Sequence, residues 1–337
     1  MAIPTSVASV DPLWVHRDAI VVDGHCDTLG EVLQGVRRLH ERSTTGHVDL
    51  PRLHEAGVTA QVFACFVPVD EYRRGAARHA LQRLDAFHRA LEEQPDPVHG
   101  LRLATNAADI RQAKATGQVA GILGLEGAEA IEGSLELLRC FYRLGVRVLG
   151  LTWNFRNEVA DGVSEGAQAR GLTPFGRQVV EECNRLGVLL DVSHLAATGL
   201  RDVLEASRHP VMASHSNAAA LCDHPRNLTD KQIEAIAERG GVIGVTFVPS
   251  FLVHPGSAAS LAHVLDHIEH LLRVAGVDHV MIGSDFDGTE STPHGLEDVT
   301  RYPAITAGLL ARGHDELTVR KVLGLNFMRV FEQVTGG

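Results

Sequence analysis

The segment VVDGHCDTLG, residues 21–30, carries a histidine and an aspartate two positions apart, His25 and Asp27. Side chains on a strand alternate faces with period two, so these two share a face and Cys26 takes the other. An imidazole nitrogen and a carboxylate oxygen converging at a strand end form half of a metal site. Alone, the pair reads equally well as a buried His–Asp hydrogen bond. Four other apolar runs stop in the same manner: GLEG at Glu126, DVSH at His194, ASHS at His215 and GSDFDG at Asp285. Singly, Glu126 could cap a helix and His194 could be a core histidine. Together, five strand ends carry metal ligands or acid–base groups.

This inventory exceeds one catalytic zinc, which takes three protein ligands and a water. It suits two metals, and two metals about 3.5–4 Å apart need a bridge. A carbamylated lysine can bridge, but the three lysines, Lys114, Lys231 and Lys321, sit in helical or connecting stretches. The bridge is then expected from a carboxylate, Glu126. Most of the 19 histidines read as loop or surface residues. His263 and His267 are four apart, but the glutamate of a zinc-binding HExxH helix is missing, and HVLDHIEH reads as a solvated helix face. Asp287 shares the period-two face of Asp285, but Gly288 turns the chain, so a loop or supporting role is expected.

The elements that must position these groups follow one theme. Eight β-branched runs begin at Ala19, Val58, Val119, Val146, Gly187, His209, Gly241 and His279. Near-continuous apolar strands imply a parallel sheet covered on both faces. Between them, 76–91, 135–144, 174–186, 230–239 and 261–274 show helical spacing, with Thr173 and Thr229 or Asp230 as helix starts. Eight strand–helix units predict an α/β fold, a (β/α)8 TIM barrel with its site at the C-terminal ends of the strands. A doubly wound sheet is the alternative. Residues 1–18 read as an N-terminal adapter with a short helix near 12–17, and 19–337 as one barrel domain. The first unit is the least regular, and 31–57 reads as loop and broken helix.

Composition narrows the function classes. The chain has 337 residues, 45% of them apolar, and a formal net charge of −11. That balance opposes nucleic-acid and anionic-membrane binding. Five cysteines without a CxxC pair suggest reduced thiols. The N-terminal residues lack the pattern of a signal peptide, and no run is long enough to span a membrane, so a cytoplasmic protein is expected.

Several longer stretches carry a resemblance. VVDGHCDT, GILGLEGAEAI, LGVRVLGLTWN, LLDVSHL, VMASHSNAAALCDHPRNLTD and IGSDFDGTESTPHGLEDVTRYP resemble the renal (membrane) dipeptidase family of the amidohydrolase superfamily. The resemblance runs through most of residues 19–333. It implies a binuclear zinc dipeptidase, with Mn²⁺ or Co²⁺ also compatible with such ligands. His25 and Asp27 would hold one ion, His194 and His215 the other, and Glu126 would bridge them. A metal-bridging hydroxide would attack the amide carbonyl, and Asp285 would carry the proton to the leaving amine. Arg226, in HPRN, would bind the substrate carboxylate, for which a guanidinium fork is suited. Dipeptides, including L-Xaa-D-Xaa, are the implied substrates, and a homodimer the implied assembly. One departure stands out: where the family commonly has a histidine after LT, this chain has Trp153. Trp153 and Asn154 are therefore expected at the substrate, with Asn154, Arg156 or Asn157 as replacement donors. The departure keeps a cyclic amide, lactone or N-acyl amino acid as alternative substrates. A non-catalytic metal-binding protein is the remaining alternative.

Overall fold

The computed structural model describes residues 11–68 and 75–336. Nine parallel strands form one sheet: β1 (Val22–Cys26), β2 (Ala60–Phe66), β3 (Leu101–Leu103), β4 (Val119–Glu126), β5 (Val146–Gly150), β6 (Leu189–Asp191), β7 (Met212–Ala213), β8 (Val242–Val245) and β9 (Val280–Ile282). Their order is β2-β1-β9-β8-β7-β6-β5-β4-β3, and β2 also pairs with β4. That last pairing closes eight strands into a (β/α)8 barrel. β3 lies outside the ring, paired only with the first residues of β4. All eight runs expected from the sequence are present in the ring. β3 was not anticipated, because three residues with one buried side chain leave no period to read.

The expected helices form with shifts of at most two residues at their ends: Ala76–Glu93, Leu135–Arg143, Pro174–Leu186, Asp230–Glu238 and Leu261–Ala275. Local chemistry sets their starts. The Thr173 hydroxyl accepts from the Gly176 N–H at 2.9 Å, with Pro174 in the first turn. Thr229 and Gln232 form a reciprocal capping box. The adapter helix is Pro12–Asp18, tied to the barrel through His16, which bonds Thr306 at 2.6 Å and the Ala56 carbonyl at 2.7 Å. Residues 1–10 of the adapter lie outside the described residues.

The barrel interior is filled by Val22, Ala60, Val62, Ile122, Val148, Leu189, Met212, Val242 and Met281. Phe327 and Phe331 of the last helix pack on the same cluster. One irregularity matters for the site. Asp23 faces Gln61, but Cys26 faces Phe63, so β1 has one extra residue there. Such a bulge re-aims side chains. Gly24 lies inside it, where a Cβ would stand 2.4 Å from the Met281 methyl.

Candidate metal centre

Within the bulge, His25 turns toward the barrel mouth and meets groups from four other strands. Its Nε2 lies 3.3 Å from Asp27 Oδ2, 3.5 Å from Glu126 Oε2 and 4.0 Å from Asp285 Oδ1. Glu126 ends β4, and its other oxygen, Oε1, lies 3.0 Å from His194 Nε2 and 4.0 Å from His215 Nε2. One carboxylate thus faces His25 with one oxygen and the histidine pair with the other. Donor atoms of His25, Glu126 and His215, and again of His25, Asp27 and Asp285, lie within 4.8 Å of one another.

The clustered residues do not all sit on ideal strands. β6 ends at Asp191 and β7 at Ala213, so His194 and His215 belong to the turns that follow. β9 ends at Ile282, and Asp285 and Asp287 both take a left-handed backbone, with φ of 64° and 65°. The strand has thus already turned at this aspartate pair, and the period-two rule does not apply to it. The chain is held there by Asp285 N–H donating to the His25 carbonyl at 3.2 Å and Asp27 N–H to the Phe286 carbonyl at 2.9 Å.

Two buried aspartates beneath the ligands were missed by the sequence reading. Asp191 shares the face of Leu189 and accepts from the N–H and hydroxyl groups of both Ser193 and Ser214. Asp23 accepts from the Ser284 N–H and hydroxyl and from Tyr302 Oη. The signal was present: an aspartate interrupting an apolar strand, in VVDGH and LLDVSH. A buried carboxylate needs such donors.

These networks decide which ring nitrogens carry protons. The Asn154 side-chain oxygen lies 2.8 Å from His194 Nδ1, and an oxygen only accepts, so Nδ1 carries the hydrogen. Ser214 Oγ donates to Asp191 at 2.5 Å and therefore accepts from His215 Nδ1 at 2.6 Å. Both Nε2 atoms are left as lone pairs, only 2.8 Å apart. His25 Nε2 is likewise buried without a hydrogen-bond partner. Lone pairs forced together beside a carboxylate are favourable only around a cation, and the donor set suits a divalent metal. The residues thus fit the metal site expected from them.

Protein groups alone leave the carboxylates strained in charge. Burial, then the charge of Asp27, pushes Glu126 up to about 8. Burial and Asp27 raise Asp285 to about 6 against the pull of His25. Burial disfavours the charged form of His25, but Glu126 and Asp27 outweigh it and raise its pKa well above the usual range. Burial, with the charges of His25 and Arg226, holds His194 and His215 well below theirs.

A cavity of about 410 Å³ opens over this cluster, lined by Asp27, Glu126, His194, Asp285, Trp153 and Arg226 among others. Arg226 is 6% exposed and, among the described residues, pairs with no carboxylate; it donates to the carbonyls of Ser193 at 2.8 Å and His215 at 3.4 Å. A surface salt bridge is therefore not its role. Trp153 stands in the wall, its ring 5.3 Å from Phe66 and 6.1 Å from His194. Arg156 is paired with Asp161 and Asn157 donates to the Leu151 carbonyl, so neither is free to replace the histidine that Trp153 displaces. Asn154 lines the cavity, but its side-chain oxygen holds His194.

One expectation outside the cluster changes. His267 and His270 are buried, not solvated. The Ala218 N–H donates to His267 Nδ1 at 3.1 Å, and His267 Nε2 meets the Leu252 carbonyl at 3.1 Å, because loops after β7 and β8 cover this helix. Asp287 is buried too and clamps the 35–48 loop. It accepts from Thr28 Oγ1 and the His47 N–H, both at 2.6 Å, and pairs with Arg37 at 2.5 Å.

The comparisons with known proteins agree with this geometry. The sequence pattern of the membrane dipeptidases, peptidase family M19, matches residues 13–336. Dipeptidase 3 of Mus musculus is 36% identical over 332 residues, 96% of this chain and 66% of that protein. Dipeptidase 3 of Rattus norvegicus is 37% identical over 333 residues, with the same shares. The chain thus spans 66% of the length of these two relatives. Among solved structures, dipeptidase AC, an M19 metallo peptidase, superposes with a TM-score of 0.86 at 36% identity, covering 95% of this chain and 99% of that one. A metallo peptidase from Rhodobacter sphaeroides, liganded with a phosphinate mimic of the dipeptide L-Ala-D-Ala, gives 0.84 at 36% identity, covering 94% and 100%. With a match running from near one end of the chain to the other, this protein belongs to the membrane dipeptidase family, peptidase family M19.

Proposed function

We propose that the protein is a metal-dependent dipeptidase that takes short dipeptides, L-Xaa-D-Xaa among them, and works with two zinc ions. The observation that carries this reading is Glu126. Its two oxygens face two separate donor groups, His25 with Asp27 on one side and His194 with His215 on the other. The dipeptide mimic bound by the Rhodobacter sphaeroides relative supports the substrate class.

Bound zinc would supply Lewis acidity toward the amide carbonyl and make water nucleophilic near neutral pH. The chain's own residues do the rest. Asn154 and Ser214 hold Nδ1 of His194 and His215, so that their Nε2 lone pairs would be free to hold metal. Arg226, buried and without a carboxylate of its own, takes the C-terminal carboxylate of the substrate. Asp285, held at the mouth by the left-handed turn, accepts the proton of the attacking water and delivers it to the leaving amine nitrogen. Trp153 and Phe66 form an apolar wall beside the amide and shield it from bulk water. Five unpaired cysteines suit a reducing compartment, so we place the protein in the cytoplasm.

The test is hydrolysis of L-L, L-D and D-L dipeptides, an N-acetyl amino acid and a lactone, with and without chelator. Chelator-sensitive cleavage of dipeptides is expected. Asp285→Asn should lower kcat by roughly 10²- to 10⁴-fold with metal content unchanged. Cleavage of the lactone or N-acetyl substrate alone would transfer the reading to that chemistry, with Trp153 as its mark.

A further inference from the structure

The cavity contains a second cation that the proposed reaction does not use. Arg83 projects from helix Ala76–Glu93 and lines the cavity beside Gly30 and Phe66. It is 9% exposed. Among the described residues it has no hydrogen bond and no ion pair. A Cβ at Gly30 would stand 3.9 Å from a terminal nitrogen of Arg83, so the guanidinium itself reaches the cavity wall.

Among the described residues, carboxylates near it are engaged. Glu31 pairs with Arg37 at 2.5 Å. Asp287 is held by Arg37, Thr28 and His47. Asp27 and Glu126 face His25. A buried guanidinium without an anion is costly, and a cavity-facing one is satisfied when a ligand brings the anion.

Barrel topology says which part of the ligand that is. Arg226 follows β7, while Arg83 follows β2. In the closed ring the order runs β2, β1, β9, β8, β7, so the two strands are four places apart among eight and lie on opposite sides of the mouth. The ligand cluster lies between them. A dipeptide with its C-terminal carboxylate on Arg226 and its amide over the cluster therefore directs its N-terminal residue toward Arg83. Phe66, which lines the same cavity and packs beside Trp153, gives the methylene stem of the N-terminal side chain an apolar surface.

We infer that Arg83 forms a subsite for an acidic side chain on the N-terminal residue, so that dipeptides beginning with glutamate or aspartate are favoured substrates. This rests on the dipeptidase reading above. The experiment compares L-Glu-D-Ala with its neutral isostere L-Gln-D-Ala in the metal-loaded enzyme, with L-Ala-D-Ala as reference. The acidic substrate should lead in kcat/KM by roughly tenfold or more, mostly through KM. Arg83→Gln should bring the Glu-to-Gln ratio to about one and Arg83→Lys should restore part of it. Binding of both peptides to the Asp285→Asn protein, measured by calorimetry, should show the same ratio without turnover. Should Arg83→Gln fail to fold, the wild-type ratio and the Arg83→Lys protein still decide. Equal kcat/KM for the two peptides, or a preference that survives Arg83→Gln, overturns the subsite and leaves the dipeptidase intact. Silence on all three peptides removes the dipeptidase reading and this inference with it.

Discussion

The two halves of the metal cluster are built alike and charged differently. On the β6–β7 side, Asp191 lies inside the barrel and gathers Ser193 and Ser214, and Ser214 passes the constraint to the His215 ring. On the β1–β9 side, Asp23 gathers Ser284 and Tyr302, and Ser284 reaches only the backbone carbonyl of His25, at 3.2 Å. The first platform fixes an imidazole tautomer; the second fixes a strand end. Around them, one half is two neutral imidazoles near Arg226, and the other is one imidazole among Asp27, Glu126 and Asp285. The comparison separates positioning of a donor atom from positioning of the chain that carries it.

Breaking what both halves share should have the largest effect. Glu126→Gln should release metal from both halves and lower kcat/KM by roughly three orders of magnitude; metal content per chain and kinetics would show it, and retention of both ions would remove Glu126 as the link. Next comes Asp191→Ala, which leaves four donors without their acceptor and frees the His215 ring. Its metal affinity should fall by about 10- to 100-fold, together with a loss of stability in urea. Asp23→Ala should differ in kind. It strands Ser284 and Tyr302 and should cost about 3 kcal/mol of stability, with a much smaller change in the affinity of the folded protein for metal. Equal metal-affinity losses in the two variants would erase the distinction. Ser214→Ala should reproduce the affinity loss of Asp191→Ala at roughly tenfold, and Ser214→Thr should recover it.

A control lies away from the metals, in helix Leu261–Ala275. Burial lowers His267 to about 4, against an ordinary value of 6.5. Above about pH 6.5 the ring is neutral in both folded and unfolded chains. As pH falls from there toward 4, the unfolded chain takes up a proton that the folded one refuses, so stability is lost across that window, by on the order of 3 kcal/mol when complete. His263, Asp266 and His270 on the same helix are its charged neighbours. Urea midpoints from pH 7 to 4.5 should fall, and fall less in His267→Gln. An unchanged slope in the variant would mean other groups carry the effect.

What was legible in the sequence follows from locality. Apolar runs ending in polar residues marked the ring strands, and the strand-end groups His25, Asp27, Glu126, His194, His215 and Asp285 do meet at one mouth. β3 was too short to show a period. Arg83 carries no local signal, because burial of an arginine depends on what lies across from it. Asp287 and His47 are 240 residues apart in sequence, so their clamp had no local sign. His267 read as solvated because its covering loops come from elsewhere in the chain.

By itself, the sequence determined the repeating strand–helix units, the caps that start the helices and the residue types gathered at strand ends. These depend on side-chain chemistry within a few residues. Only the tertiary structure decided which way those groups point. The bulge that turns His25 inward arises from pairing with β2, and the proton positions on His194 and His215 come from Asn154 and Asp191 on the neighbouring strands. Orientation and protonation are set by neighbours in space, and closure of the ring is what makes those neighbours.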